Sequence, residues 1–237
     1  MKVLYKILYL QKKIFIVLSF FTKNIKIAPE GIYIILSSAI VLGITSALLF
    51  FFSFFWLAIF SLFLLALIFY FFRDPNRPGL EDKNTFLSPV DGKVISITHY
   101  NDPDIGDAKK IAIFLSVFDV HRQWVPVNGK VVDTYYNPGK FFGAYRNKSS
   151  MKNEQTSIIF KDQDKNSFKI KQIAGFIARR IVNHMSPNLQ VYQGQKLGFI
   201  KFGSRVEIIV PHNFKIQVKK GMKVKGCKTK VGTFINL

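Results

Sequence analysis

Cysteine is almost absent from this sequence, because Cys227 is the only one among its 237 residues. A chain with one cysteine has neither an internal disulfide nor a zinc site built from several cysteines. The four histidines show no metal-ligand spacing, and no carboxylate cluster accompanies any of His99, His121, His184 and His212. The chain also lacks a phosphate-binding loop, a dinucleotide fingerprint and a G-x-S-x-G elbow. We therefore expect neither a structural nor a catalytic metal.

Acidic residues are scarce as well: 14 stand against 34 lysines and arginines, for a formal charge of +20. Such a charge attracts polyanions, either nucleic acid or an anionic lipid surface. Residues 1–30 favour a basic segment on a membrane surface over a signal peptide, because lysines alternate with short apolar patches. The lysines of this segment are Lys2, Lys6, Lys12, Lys13, Lys23 and Lys26. Six more lysines in residues 219–230 form either a solvated face or a contact for anionic headgroups.

Residues 31–72 contain no charged side chain at all. One membrane-spanning helix needs about 20 apolar residues, so this run has room for two. We predict a helical hairpin that turns near Leu48–Ser53, against the alternatives of one long or tilted helix and a buried core helix. Lysines precede the run, and Arg73 and Arg77 follow it, which places both ends on the cytoplasmic side. An anchor of this kind, without any nucleic-acid-binding motif, weakens the nucleic-acid interpretation of the charge.

Beyond a helix-breaking linker at residues 73–79, the sequence changes to short β-type runs separated by turn residues. This pattern predicts a mainly β domain over residues 73–237, similar to a sandwich or a barrel. One short helix is expected at residues 173–182, where apolar side chains fall at helical spacing. The predicted strands are residues 92–97, 110–115, 129–132, 156–160, 168–170, 206–210, 214–218 and 230–235.

Three positions in this domain carry residue types that are suited to catalysis. Gly203-Ser204 precedes a strand pattern and is either a tight turn or a site where the serine hydroxyl attacks the preceding carbonyl, which a glycine leaves unobstructed. Asp91 precedes Gly92 and is on local grounds an ordinary turn residue. His121 ends an apolar strand and is either a structural residue or, because its pKa lies near neutrality, the best candidate for a base.

Five segments, in this order, resemble the phosphatidylserine decarboxylase family, in particular its short bacterial and archaeal branch. They are Phe71-Phe72-Arg73-Asp74-Pro75, Ser88-Pro89-Val90-Asp91-Gly92-Lys93-Val94, Phe118-Asp119-Val120-His121-Arg122, residues 172–181 (QIAGFIARRI) and Phe202-Gly203-Ser204-Arg205-Val206. Together they span residues 71 to about 211.

The resemblance implies a proenzyme that cuts itself without hydrolysis between Gly203 and Ser204, giving a β chain of residues 1–203 and an α chain of residues 204–237 that remain together. Ser204 would become a pyruvoyl group, which forms a Schiff base with phosphatidylserine and accepts the charge left by carbon dioxide. The product would be phosphatidylethanolamine, with no metal and no pyridoxal phosphate. The resemblance also implies that His121 is the base or proton carrier and that Asp91 orients it.

One departure from the family pattern concerns Trp124, where longer members carry a second histidine. His121 would then cover both self-cleavage and decarboxylation, unless another group helps. Arg205 is expected to meet the substrate phosphate or carboxylate. Arg179 and Arg180 either belong to a solvated face or contact anionic substrate headgroups. Two alternatives stay open: a sibling decarboxylase for another phosphoserine lipid such as archaetidylserine, and a non-enzymatic, membrane-anchored β domain that binds anionic surfaces. The expected location is the inner cell membrane, with the catalytic domain in the cytoplasm.

Overall fold

A computed structural model describes residues 26–80, 85–139, 153–175, 180–201 and 204–235. Within it the chain divides into two compact units, with the division between Asn76 and Arg77. The predicted basic segment lies outside the described residues, except for residues 26–30.

The first unit contains two helices, α1 (Ile32–Phe51) and α2 (Phe55–Phe71), preceded by a 3-10 turn at Pro29–Gly31. Three residues join the helices, and the middle one, Ser53, has a φ of 65°, a left-handed conformation that ends α1. The turn therefore falls at the end of the predicted window. Within the described residues, α1 with its preceding turn is the one helix long and apolar enough to cross a membrane by length and composition.

Two serines join the helices of this hairpin. Ser46 Oγ donates to the carbonyl oxygen of Ala58 at 3.2 Å, and Ser61 Oγ donates to that of Leu42 at 2.9 Å. Both serines are buried, whereas most of the large apolar side chains on the two helices are exposed. Small and hydroxyl-bearing residues let helices approach closely, which explains their position at this interface.

The two ends of the hairpin meet. Ala28 N–H donates to the carbonyl oxygen of Phe72 at 2.8 Å, and Asp74 N–H donates to that of Lys26 at 2.6 Å. Ile27 and Arg73 form an isolated antiparallel bridge between these two hydrogen bonds. The chain therefore enters and leaves the hairpin at the same end.

The second unit is mainly β, as predicted, and the strands that pair within its described residues are antiparallel. The first seven strands are β1 (Phe86–Leu87), β2 (Gly92–Asp102), β3 (Gly106–Leu115), β4 (Arg122–Trp124), β5 (Gly129–Asn137), β6 (Gln155–Asp162) and β7 (Ser167–Ala174). They are followed by β8 (Ile181–Asn183), β9 (Gln190–Val191), β10 (Lys196–Ile200), β11 (Ser204–Pro211), β12 (Phe214–Ile216), β13 (Lys223–Val224) and β14 (Lys230–Phe234).

These strands form three sheets. The largest has the order β13-β2-β3-β11-β7-β6-β5-β9, so β11 lies in its interior with β3 on one side and β7 on the other. The two smaller sheets have the orders β4-β10-β8 and β1-β14-β12. Every predicted strand coincides with one of these strands. The short ones, such as β4, β8 and β10, were not predicted, because two to five residues show too little alternation.

The predicted helix at residues 173–182 is wrong at both ends. Ile173 and Ala174 end β7, and Ile181 and Val182 begin β8; residues 176–179 lie outside the described part. Pairing explains the difference, because Ile173 is aligned with both Arg205 of β11 and Gln155 of β6. Apolar spacing suited a helix, but the sheet on both sides of β7 fixed an extended backbone.

The core lies on one face of the large sheet, where alternate residues of β3, β6, β7 and β11 meet. Phe168 stacks on Phe160 with ring centroids 4.9 Å apart, and Phe86 meets Phe168 edge to face at 5.1 Å. Phe214 and Phe234 extend this aromatic cluster. On the opposite face the sheet is charged: Lys169, for example, pairs with Asp102 and Asp104.

The position of Phe168 in the aromatic cluster predicts that its side chain contributes strongly to the free energy of unfolding. Phe168→Ala should lower the free energy of unfolding by about 3–5 kcal/mol, because it leaves a cavity between two buried rings. Tyr192→Ala is the control, since Tyr192 is 69% exposed, and it should change stability by no more than about 0.5 kcal/mol. Denaturant unfolding followed by circular dichroism measures both; equal losses would contradict this assignment of the core.

Candidate active site

Ser204 is the first residue of β11 and is fully buried. It is aligned with Leu115, the last residue of β3, and with Ala174, the last residue of β7. No hydrogen-bond partner of Ser204 Oγ lies among the described residues. A buried hydroxyl without a partner costs about 1–3 kcal/mol, and such groups call for a functional explanation. Phe202 and Gly203, and with them the predicted cleavage bond, lie outside the described residues.

His121 is also fully buried, directly before β4. The loop that leads to it is held by Asp119, whose carboxylate accepts from Ser116 N–H at 2.8 Å and Ser116 Oγ at 2.7 Å. His121 Nδ1 lies 3.0 Å from the carbonyl oxygen of Asp119. A carbonyl oxygen only accepts, so Nδ1 carries the proton. In the neutral ring, Nε2 then holds the lone pair that a base needs.

The chain path ties His121 to the segment around Gly203-Ser204. One end of the loop at residues 116–121 starts from Leu115, the partner of Ser204. At the other end, the carbonyl oxygen of His121 accepts from Ile200 N–H at 3.5 Å, and Ile200 ends β10. The two ends of this loop are therefore attached on either side of residues 201–203.

Asp91 belongs to a different cluster. Its carboxylate forms a two-point ion pair with Arg77, with Nη2 donating to Oδ2 at 2.9 Å and Nη1 donating to Oδ1. Gly226 completes a ring: its N–H donates to Asp91 Oδ1 at 2.8 Å, and its carbonyl oxygen accepts from Arg77 Nη1 at 3.0 Å. Among the described residues, the hydrogen bonds of Asp91 go to Arg77 and Gly226 and none goes to His121, so the predicted orientation of His121 by Asp91 stays a prediction.

Trp124 packs against this second cluster. It is 1% exposed, and the Arg77 guanidinium lies 4.7 Å from its ring centroid, a cation–π geometry. Cys227 packs in the same place, and burial raises the pKa of its thiol to about 12, which keeps it protonated and unreactive. Trp124, which stands where longer family members carry a second histidine, therefore supports the position of Arg77.

The three predicted substrate arginines have different surroundings. Arg205 is buried and its Nη2 lies 2.7 Å from Glu207 Oε1, so a carboxylate of the chain already balances its charge. Arg180 is exposed between β7 and β8. Arg179 lies outside the described residues.

Sequence reasoning missed three polar residues at the site. Arg77 stands in the linker, and no local pattern distinguishes it there. Gln123 and Gln172 are fully buried and hydrogen bonded to each other at 2.7 Å. Gln172 had a detectable signal, because it interrupts the alternating core positions Phe168, Ile170 and Ala174 of β7.

The described residues include no group of three or more histidines, cysteines or carboxylates that could hold a metal ion. The candidate site consists of a buried serine at the head of an interior strand and a buried histidine with a defined tautomer, and the ring of Arg77, Asp91 and Gly226 is a separate cluster. A serine hydroxyl and an imidazole are the types of group from which nucleophilic catalysis takes its nucleophile and its base.

Comparison with known proteins assigns the chain to a family. Residues 64–232 match the family model described as phosphatidylserine decarboxylase. Relatives named phosphatidylserine decarboxylase proenzyme include one from Geobacter metallireducens, 36% identical over 88% of this chain and 97% of its own length. Another, from Ehrlichia chaffeensis, is 44% identical over 69% of this chain and 74% of its own. A third, from Carboxydothermus hydrogenoformans, is 41% identical over 75% and 84%. The chain therefore belongs to the phosphatidylserine decarboxylase family.

Proposed function

We propose that this chain is a proenzyme that makes a pyruvoyl group from Ser204 and then converts phosphatidylserine to phosphatidylethanolamine and carbon dioxide. Family membership supports the reaction, and the relatives' name of proenzyme supports self-processing. The observation that supports Ser204 as the reacting residue is its buried hydroxyl. Ser204 begins an interior strand, and its Oγ has no hydrogen-bond partner among the described residues.

Self-cleavage would begin when Ser204 Oγ attacks the carbonyl carbon of Gly203. The new carbon–oxygen bond replaces the peptide carbon–nitrogen bond, which leaves an ester and a free amino group on residue 204. Loss of the Ser204 α-proton then breaks the ester's bond to Cβ, releasing the Gly203 carboxylate and leaving dehydroalanine. Addition of water and loss of ammonia give the pyruvoyl group.

In this scheme His121 takes the proton from Ser204 Oγ. Its Nδ1 donates to the Asp119 carbonyl, so the lone pair of the neutral ring is on Nε2. General bases of this kind accelerate reactions by about 10²–10⁴-fold. Because the position of the second histidine is filled by Trp124, the same imidazole is the proposed proton carrier in decarboxylation.

The surroundings of residue 204 fit a pyruvoyl group. A pyruvoyl group needs no surrounding polar side chains. Residue 204 lies on the core face of the sheet beside Leu115 and Ala174. Its carbonyl supplies the electron sink that decarboxylation of an amino acid headgroup requires. The apolar neighbours exclude water from the place where charge develops, which strengthens electrostatic interactions there.

The two chains produced by cleavage would stay together. Residues 204–237 contribute β11, which pairs with β3 and β7, together with β13 and β14, which pair with β2 and β1. All four partner strands belong to residues 1–203. Cleavage would therefore break one peptide bond and leave these ladders intact, which supports a stable pair of α and β chains.

The apolar hairpin supports an anchor in the bilayer that holds the lipid substrate. Its outward-facing side chains are large and apolar, for example Tyr33 at 86% and Trp56 at 85% exposure, which suits lipid better than water. Both ends of the hairpin meet, so a spanning hairpin would place them on one side. The basic flanks favour the cytoplasmic side of the inner membrane, with lysines of residues 219–230 facing anionic headgroups.

Ser204→Ala tests the assignment of the nucleophile. This variant should remain one intact chain and should release no carbon dioxide from phosphatidylserine, since it can neither form the ester nor yield a pyruvoyl group. Denaturing electrophoresis and a carbon dioxide assay measure the two effects, with archaetidylserine as a parallel substrate. Carbon dioxide release by Ser204→Ala would overturn the pyruvoyl proposal.

His121→Ala should slow self-cleavage by about 10²–10⁴-fold, because it removes the proposed base. His212→Ala is the matched control, since His212 has a 75% exposed side chain. The fraction of cleaved chain is followed with time by denaturing electrophoresis. If His121→Ala matured at the parent rate, the base would have to be another group.

For Asp91 we propose a role that acts through Arg77 and Gly226. Asp91→Asn and Arg77→Met should then slow self-cleavage by similar factors, and the double variant should be no slower than either. Residues within one network show coupling free energies of about 0.5–3 kcal/mol. Comparison of the cleavage rates of the parent protein, the two single variants and the double variant measures this coupling. Slow cleavage in Asp91→Asn with a parent rate in Arg77→Met would instead favour a direct action of Asp91 on the reacting groups.

A further inference from the structure

A second buried polar atom without a described partner lies on the same sheet face as Ser204. It is Oε1 of Gln172, a fully buried residue of β7. Gln172 is aligned with Val206 of β11, and Ala174, two residues further on, is aligned with Ser204. Gln172 is therefore the diagonal neighbour of Ser204 on the core face. Diagonal neighbours in a sheet lie about 7–8 Å apart, within reach of a long side chain or of a small group between them.

The orientation of the Gln172 amide follows from a chain of two hydrogen bonds. Gln123 Nε2 donates to the carbonyl oxygen of His121 at 2.6 Å, so the other amide atom of Gln123, Oε1, is an acceptor. Gln172 Nε2 donates to that oxygen at 2.7 Å. Oε1 of Gln172 is consequently an acceptor, held in place through Gln123 by the backbone of the proposed base.

The strand that leads to Gly203 lies against this glutamine pair. A Cβ on Gly198 of β10 would come within 2.6 Å of Gln172 Nε2, so only glycine leaves room for the amide there. Two buried amides in an apolar core are costly unless their hydrogen-bonding groups are used. Three of the four hydrogen-bonding atoms of this glutamine pair are engaged: Gln172 Nε2 with Gln123 Oε1, and Gln123 Nε2 with the carbonyl oxygen of His121. The fourth, Oε1 of Gln172, has no hydrogen-bond donor among the described residues.

We infer that Gln172 binds substrate, accepting a hydrogen bond from the amino group of the lipid headgroup beside residue 204. This inference rests on the proposed function, in which that amino group must reach residue 204. The primary amine is the nitrogen donor of such a headgroup, and an amide oxygen matches it. A neutral acceptor also suits the chemistry, because a carboxylate would hold the amine in its charged form, which cannot attack a carbonyl.

Gln172→Leu and Gln172→Met remove the acceptor, the second with little change in side-chain length. Gln155→Leu is the matched control: Gln155 is also buried, with an Oε1 that has no described partner, but it lies on β6 in line with Ile173, on the opposite face of the sheet. Two quantities are measured: the fraction of chain cleaved, from the mass of the fragment 204–237, and lipid binding to that fragment.

Lipid binding is measured by reductive trapping. The cleaved protein is mixed with phosphatidylethanolamine in detergent micelles, and cyanoborohydride supplies the hydride that fixes the lipid amine to the fragment, with loss of water. The Gln172 variants should cleave as fully as the parent protein but need about 10-fold to 100-fold more lipid for half-maximal trapping, as expected for the loss of a hydrogen bond to a charged or polarised donor. Gln155→Leu should match the parent protein in both measurements.

The outcomes separate this inference from the proposed function. If the parent protein itself is not cleaved, the proposed function fails. If the parent and Gln155→Leu are cleaved and trap lipid, and a Gln172 variant traps it at the same concentration, the inference alone is overturned. It is also overturned if both Gln172 variants stay uncleaved while Gln155→Leu is processed, since Gln172 would then act before any substrate binds. If only one Gln172 variant is cleaved, that variant decides the test.

Discussion

The pairing of β11 with β3 on one side and β7 on the other determines the position of everything at the candidate site. This double ladder holds Ser204 in the interior, at the point where β11 begins and where β3 and β7 end. The loop that starts at the end of β3 returns to β10, and this return brings His121 to the segment before Ser204. The same face of β7 presents Gln172. Without the strand register, none of these side chains would have a defined relation to the others.

The register also reconciles self-cleavage with stability. A bond at the start of an interior strand can be broken without removing the strand, because hydrogen bonds to β3 and β7 run along nearly its whole length. The apolar side chains of β11 stay in the core that they share with Phe168 and Phe160. A newly formed chain end at residue 204 would consequently be held by the fold, which is the preorganisation that a covalently attached electron sink requires.

Much of the fold and some of the site could be predicted from the sequence. Long strands such as β3 and β11 show clear apolar patterns, and the uncharged run predicted the two helices because nothing but a helix satisfies such a segment locally. The helix expected at residues 173–182 was wrong because pairing across β6, β7 and β11 overrode the local spacing. Motifs predicted roles for Ser204 and His121, which stay predictions, whereas the ion pair of Asp91 with Arg77 joins residues 14 positions apart and includes Gly226, 135 positions from Asp91. Contacts of that kind leave no periodic trace in one sequence.

In the proposed function, the bond between Gly203 and Ser204 is cut by the chain itself and residue 204 is thereby converted to a pyruvoyl group. The mass of the smaller fragment of the purified protein, measured under denaturing conditions, tests this most directly. We expect a fragment of residues 204–237 that is lighter, by one ammonia, than the same fragment with an N-terminal serine. A single intact chain of 27.2 kDa, or a fragment that begins with an unmodified serine, would contradict it.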